Sequence, residues 1–231
     1  MDRLALGAGP VVVLAPHADD ESLGCGRLLA SLWAEGGRAH VICLTDGAAS
    51  HPASRSHPPA RLRVIRQTEL HRAVTRLGGG PSDVTFLDFP DAATHRLHGP
   101  GADMARSIGA VLDRIAPATL IAPSPLDPHC DHEAGARAAE LVAAARPGTR
   151  LLYYPIWSRW KAPGRAAPVP EGRTALSWTR GSPARKRAAI DCHRSQTGAV
   201  IRDDPDGFAM PDGFAAFFAD AAELYFEGRA A

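Results

Sequence analysis

Two short clusters of carboxylates and imidazoles, Pro16-His17-Ala18-Asp19-Asp20-Glu21 and Asp127-Pro128-His129-Cys130-Asp131-His132, each follow an apolar run, Val11 to Ala15 and Leu120 to Ala122. Asp20 lies three residues after His17, so a tight turn or helix start there aims both side chains at one point. Imidazole and carboxylate together suit zinc, and a catalytic zinc takes three protein ligands and leaves a fourth position for water. His132 is the best third candidate. His129 and His132 bracket the start of a helix near Asp131, with a spacing that lets one bind metal while the other faces substrate. Asp19 is then left over, and a free carboxylate beside water whose pKa a metal lowers is what a hydrolase uses as general base. Each cluster also has a plainer reading as a helix cap, in which carboxylates satisfy backbone N–H groups and favour the helix dipole; Asp131 is well placed for that. The occurrence of both clusters at strand ends favours the metal reading.

The elements that must position these residues alternate in type. Strand-like runs at Val11 to Ala15, Val41 to Thr45, Val84 to Leu87, Thr119 to Ala122 and Leu151 to Ile156 are separated by helix-like segments at Leu23 to Glu35, Ala60 to Leu77, Ala102 to Ile115 and Glu133 to Ala145. That alternation predicts a mostly parallel α/β sheet with helices on both faces, and such sheets bind ligands outside the carboxyl ends of their strands. The loop from Ala48 to Pro59 is rich in Pro, Ser and His. From Trp157 to Ser182 proline, glycine and arginine rise and periodicity fades, as expected of a lid or a hairpin with long arms. Both segments are expected to line the entrance, where aromatic faces and polar donors suit a sugar. Pro183 to Gln196 and Pro211 to Phe226 read as two further helices.

The 231 residues are expected to form one domain. A formal charge of +1 leaves no electrostatic footprint for nucleic acid or an anionic membrane, so a discrete small molecule is the expected partner. No window is apolar enough for a membrane span, and the first residues lack a signal-peptide pattern, which points to a cytoplasmic protein. Cys25, Cys43, Cys130 and Cys192 form no C-x-x-C pair, as expected of reduced thiols rather than a zinc ribbon or disulfide framework. Gly24-x-Gly26 comes too late after the first strand for a dinucleotide site, lacks a third glycine and follows three carboxylates that would repel pyrophosphate. The aromatics from Tyr153 to Trp157 and the Phe-rich C-terminal segment offer an interface if the chain is a homo-oligomer.

With P-H-x-D-D-E after the first strand and H-x-D-H after a later one, the chain resembles the PIG-L/LmbE-like zinc-dependent N-deacetylases. The resemblance extends to Leu44-Thr45-Asp46-Gly47, Arg66-x-x-Glu69-x-x-x-Ala73 with Leu77-Gly78, Leu87-Asp88-Phe89-Pro90-Asp91 and His193-Arg194-Ser195-Gln196, so it covers most of the chain. It implies a Rossmann-like fold and hydrolytic removal of an acetyl or other acyl group from the nitrogen of an N-acetylated amino sugar or sugar conjugate. An amidase acting on a thiol conjugate or other non-sugar amide would use the same metal site.

Carried over residue by residue, the resemblance implies that His17, Asp20 and His132 bind one Zn2+ and that Asp19 is the general base. His129 matches the family's second imidazole, which in protonated form would stabilise the oxyanion or protonate the leaving amine, with Asp131 holding its pKa up; the plainer reading is a turn-stabilising hydrogen bond. Arg66 matches a substrate-contacting position, or alternatively forms a helix-face ion pair with Glu69 or another neighbour. Asp91 accepts hydrogen bonds from substrate hydroxyls or is a turn residue. His193 and Gln196 are expected near the substrate, and Glu21 beside a ligand rather than as one. Two positions depart from the family: Ala18 and Cys130 stand where many relatives carry proline, which removes two backbone restraints beside the site. Cys130 is either an inert packing residue or an oxidation-sensitive thiol.

Overall fold

A computed structural model describes residues 2–97, 99–166 and 168–228. A short strand β1 (Asp2–Arg3) precedes β2 (Val11–Ala15), α1 (Asp20–Ala34), β3 (Ala39–Thr45), α2 (Pro59–Leu77), β4 (Val84–Phe89) and α3 (Pro100–Ile115). The chain continues through β5 (Thr119–Pro123), α4 (Cys130–Ala144), β6 (Arg150–Tyr154), α5 (Trp157–Lys161), β7 (Leu176–Trp178), α6 (Pro183–Ile190), α7 (Phe214–Asp220) and β8 (Glu223–Glu227). All eight strands join one sheet in the order β1-β7-β8-β6-β5-β2-β3-β4. The run from β6 to β4 is wholly parallel, while β8 is antiparallel to both β6 and β7. The expected Rossmann-like, mostly parallel α/β sheet is therefore the fold.

Strand β2 shows why the interior strands are so apolar. Each of its five residues is buried, because odd and even positions face different helical layers. Val11, Val13 and Ala15 pack with α1, α2, α6 and α7, whereas Val12 and Leu14 pack with α3 and α4. Gly78 ends α2 in the left-handed conformation at φ 113°, which its lack of Cβ permits.

Several boundaries differ from the sequence reading. The stretch Pro211 to Phe226 is not one helix: α7 stops at Asp220, and Glu223 to Phe226 are buried as strand β8. Its Phe and Ala content fits either period, and the antiparallel pairing of Tyr153 with Phe226 decides for strand. Helix α6 ends at Ile190, before a turn and a 3-10 segment over Arg194–Gln196. The segment 157–182, residue 167 apart, supplies α5 and then the short strand β7 (Leu176–Trp178), which joins the sheet between β1 and β8. Tyr153, Tyr154 and Ile156 are buried in the core, as are Phe214 and Phe218, and so are not free to form an interface. Among the described residues no helix is long and apolar enough to cross a membrane.

Candidate active site

Strand order reverses beside β2: the chain builds outward through β3 and β4, then returns to place β5 and β6 on the other side. A crevice at the carboxyl ends of adjacent strands is the binding position of open α/β sheets. Here β2 delivers His17, Asp19 and Asp20, and β5 delivers Asp127, His129, Asp131 and His132. Register places Val11 to Val13 of β2 against Thr119 to Ile121 of β5, so clusters over a hundred residues apart emerge side by side.

His17, Asp20 and His132 each offer a ligand atom within 4.8 Å of the other two. Asp20 Oδ2 lies 3.3 Å from His17 Nδ1 and 3.4 Å from His132 Nε2. His132 is fully buried, yet its Nε2 has no hydrogen-bond partner. A buried imidazole nitrogen aimed at a carboxylate and a second imidazole, without a partner of its own, fits a metal-ligand set. The far side of each imidazole is held by a carboxylate. His132 Nδ1 is 2.9 Å from Asp127 Oδ2, and Asp127 also accepts the backbone N–H groups of Ile156 and Ser158. His17 Nε2 is 3.0 Å from Asp131 Oδ2 and 3.3 Å from Asp91 Oδ1. Asp131 further accepts from the Ala92 N–H and the Thr94 hydroxyl. Such partners fix the orientation of ligating histidines. Asp127 and Thr94 were not assigned roles from sequence; the position of Asp127, five residues before His132, offered the only signal.

Asp19 stands apart from this set. It is the N-cap of α1, but its side chain makes no capping bond, so the plain capping reading does not account for it. Its backbone adopts φ 148°, ψ −29°, a conformation L-residues rarely take, and such outliers persist only where surroundings impose them. Glu21 supplies part of that constraint: its Oε2 accepts the Asp19 N–H at 3.0 Å and its Oε1 meets His193 Nε2 at 3.1 Å. His193 is fully buried against Glu21, so it stands next to the site, as expected, but not among the residues that line the cavity. Burial, reinforced by the Asp20 carboxylate and opposed by Arg66, pushes the Asp19 carboxyl up to about 7.

The plainer reading of His129 is partly realised, since its Nδ1 accepts the Asp131 N–H at 3.2 Å as the N-cap of α4. That bond leaves Nε2 to carry the proton of a neutral ring. Asp131 was expected to hold the His129 pKa up. Burial and then the charges of the neighbouring His17 and His132 rings push it down to about 4, outweighing the rise that Asp131 does supply. Both His129 and Asp19 line a cavity of about 440 Å³, together with Arg66, Asp91 and Gln196.

Arg66 is buried, donates to the carbonyls of Gly47 and Ala18, and comes within 3.7 Å of Asp19 and 3.8 Å of Asp91. Its expected alternative partner, Glu69, is engaged elsewhere, accepting from the Ser195 N–H and hydroxyl. Gly47, at φ 64°, is required there because a Cβ would lie 2.8 Å from Arg66 Cδ. Burial raises the Asp91 carboxyl, but the His17 hydrogen bond and charge and then Arg66 outweigh it and hold it below the usual range. Asp91 Oδ2 also accepts the Ala49 N–H, so it ties the Ala48 to Pro59 loop to the site. Cys130 is half-buried, 3.5 Å from Asp131 Oδ1, and burial followed by that carboxylate raises its thiol pKa. The entrance expected from both loops is lined by Ala49, Ser50 and Pro52 on one side and, among the described residues of the 157–182 segment, by Trp157. The missed contributors are Asp206, Phe208 and Met210, in a segment whose irregular sequence carried no periodic signal.

The fold and site together define an α/β protein with a candidate His/Asp metal group at a topological switch point. The PIG-L family, described as GlcNAc-PI de-N-acetylase, matches residues 12–143, and the chain belongs to it. A 1D-myo-inositol 2-acetamido-2-deoxy-alpha-D-glucopyranoside deacetylase from Kineococcus radiotolerans is 33% identical over 155 residues, covering 63% of this chain and 38% of that protein. The chain thus spans well under half the length of that curated relative. Among solved structures, a triple-mutant deacetylase of the teicoplanin biosynthetic pathway superposes with a TM-score of 0.72 at 19% identity, covering 94% of this chain and 97% of that one. The A40926 pseudoaglycone deacetylase gives 0.70 at 22% identity, covering 96% and 98%. At these identities the two structures establish the shared fold.

Proposed function

We propose that the protein is a hydrolase that removes the acetyl group from the nitrogen of an N-acetylated amino sugar or sugar conjugate, with one Zn2+ held by His17, Asp20 and His132. The observation that carries this reading is the division of labour between adjacent aspartates: Asp20 lies between two imidazoles, while Asp19 is displaced from them by a backbone L-residues rarely adopt and faces the cavity. When bound, zinc would polarise the amide carbonyl and make a water molecule more acidic.

The remaining chemistry falls to the chain. Asp19 takes the proton from the attacking water as the water oxygen bonds to the carbonyl carbon. His129, whose Nδ1 is occupied by the Asp131 N–H, offers Nε2–H to the oxygen that gains negative charge. The C–N bond then breaks, the nitrogen receives from Asp19 the proton that Asp19 took from the water, and acetate and a free amine leave. Asp131 and Asp127 act as positioning residues through His17 and His132. Arg66, Asp91 and Gln196 present polar groups to the sugar hydroxyls. A cytoplasmic setting suits the four cysteines, all free thiols.

The test is amine release from a panel of N-acetylated glucosaminides, thiol conjugates and simple amides. Release from the glucosaminides, abolished by a chelator and restored by zinc, is expected. Release confined to thiol conjugates or simple amides would replace the sugar reading with the amidase one.

A further inference from the structure

The cavity has two unlike halves. Besides the imidazoles and carboxylates of the candidate metal group, the lining includes the apolar side chains of Ile156, Trp157, Phe208, Met210 and Phe214, with the Asp206 carboxylate on the same segment as Phe208 and Met210. Phe214 is fully buried and backs Trp157 with ring centroids 4.9 Å apart, while Phe208 meets Trp157 edge-on at 6.0 Å. Trp157, Phe208 and Met210 are only half-buried, so their remaining apolar surface faces the cavity.

This wall is built, not a loop draped by chance. The Phe208 N–H donates to the Ser50 carbonyl and the Met210 N–H to the Gln196 carbonyl, each at 2.7 Å. Upstream, Asp203 accepts from the Ser54 and Ser56 hydroxyls and the Arg55 and Ser56 N–H groups, and Asp204 from the Ala53 N–H. The segment that carries the wall is therefore fastened to the loop on the polar side of the same cavity, which preforms the pocket.

A pyranose needs one aromatic face for stacking and otherwise polar partners. Three contiguous apolar side chains, one an adaptable methionine, extend beyond that need. The departing acetyl group contributes a single methyl, so it does not account for them either. We infer that the substrate carries an apolar group on the amine-bearing side, an alkyl or aryl aglycone seated on Trp157, Phe208 and Met210. The inference rests on the deacetylase reading above and specifies its substrate class.

The experiment compares methyl and hexyl glycosides of N-acetylglucosamine of the same anomeric configuration, with the zinc-loaded enzyme. The hexyl glycoside is expected to have at least tenfold higher kcat/KM, mostly through KM, and Phe208→Ser or Met210→Ser to pull that ratio toward one. Equal rates for the two glycosides, a ratio unmoved by both substitutions, or a greater gain from lengthening the acyl chain to hexanoyl would overturn it. If no glycoside is deacetylated, the deacetylase reading fails by itself. Binding of the free-amine hexyl and methyl glucosaminides, followed by tryptophan fluorescence, then decides the wall: at least tenfold tighter hexyl binding, lost in both variants, upholds it, and equal binding overturns it.

Discussion

At the scale of single residues, the site depends on carboxylates whose roles follow from the atoms they face. Asp20 faces His17 Nδ1 and His132 Nε2, whereas Asp131 and Asp127 face the opposite nitrogens of the same two rings. In the proposed mechanism these three and Asp19 divide into a ligand, a base and two residues that orient ligands. Removing an orienting carboxylate leaves the ligand in place but frees its ring. Asp131→Asn is accordingly expected to weaken metal affinity by roughly 10- to 100-fold, measured by competition with a fluorescent chelator, and unchanged affinity would deny Asp131 that role. The Cys130 thiol is 3.5 Å from Asp131 and makes no hydrogen bond to His17, Asp20 or His132.

At the scale of elements, helix α1 is gripped from the side. The backbone N–H groups of Arg27 and Leu28 donate to the Glu223 carboxylate, and the carbonyls one turn earlier, Leu23 and Gly24, accept from Lys186 Nζ and the Tyr225 hydroxyl. Lys186 and Glu223 are themselves paired at 2.8 Å, both almost fully buried. These bonds tie the N-terminal half of α1, which carries Asp20 and Glu21, to α6 and β8. Lys186→Met leaves a buried carboxylate uncompensated and is expected to cost about 3–5 kcal/mol in urea unfolding. Adding Glu223→Gln should recover part of that loss, and a second loss of equal size would refute the pairing. The fastening of the 203–210 segment is a surface counterpart. Backbone and hydroxyl donors from Ser56, with the Ser54 hydroxyl, hold the Asp203 carboxyl well below the usual carboxylate range. A depressed folded pKa stabilises fully above the free-carboxylate value of about 3.9 and loses its effect as pH falls below it. Asp203→Asn at neutral pH should reproduce that loss, seen as faster hydrogen exchange at residues 53–57, whereas unaltered exchange would mean the clasp contributes nothing.

At the scale of the whole molecule, the candidate metal group joins the β2–α1 junction to α4, so metal binding there should stabilise the fold. At zinc a hundredfold above Kd the gain is about 2.7 kcal/mol, a rise of roughly 5–11 °C in melting temperature for a chain of this size; a melting temperature indifferent to zinc and chelator would contradict the site. The parallel half of the sheet was legible in the sequence because β2, β3, β5 and β6 are buried on both faces and read as continuous apolar runs. The antiparallel edge was not: Leu224 to Phe226 continue the Phe and Ala content of α7, and only long-range pairing with Tyr153 separates strand from helix. The paired clusters were legible because β2 and β5 are neighbours and each ends in its cluster. That His193 packs against Glu21 instead of lining the cavity was not legible, because nothing local pairs the two residues. Trp157 could be anticipated, but Phe208 and Met210 reach the cavity through bonds to Ser50 and Gln196, far off in the chain. The most direct test is metal content and amine release measured together for Asp19→Asn and Asp20→Asn. The expected result is that Asp19→Asn keeps its metal but loses at least about a hundredfold in activity, while Asp20→Asn loses the metal itself; metal loss in Asp19→Asn with retention in Asp20→Asn would reverse the roles and contradict the account.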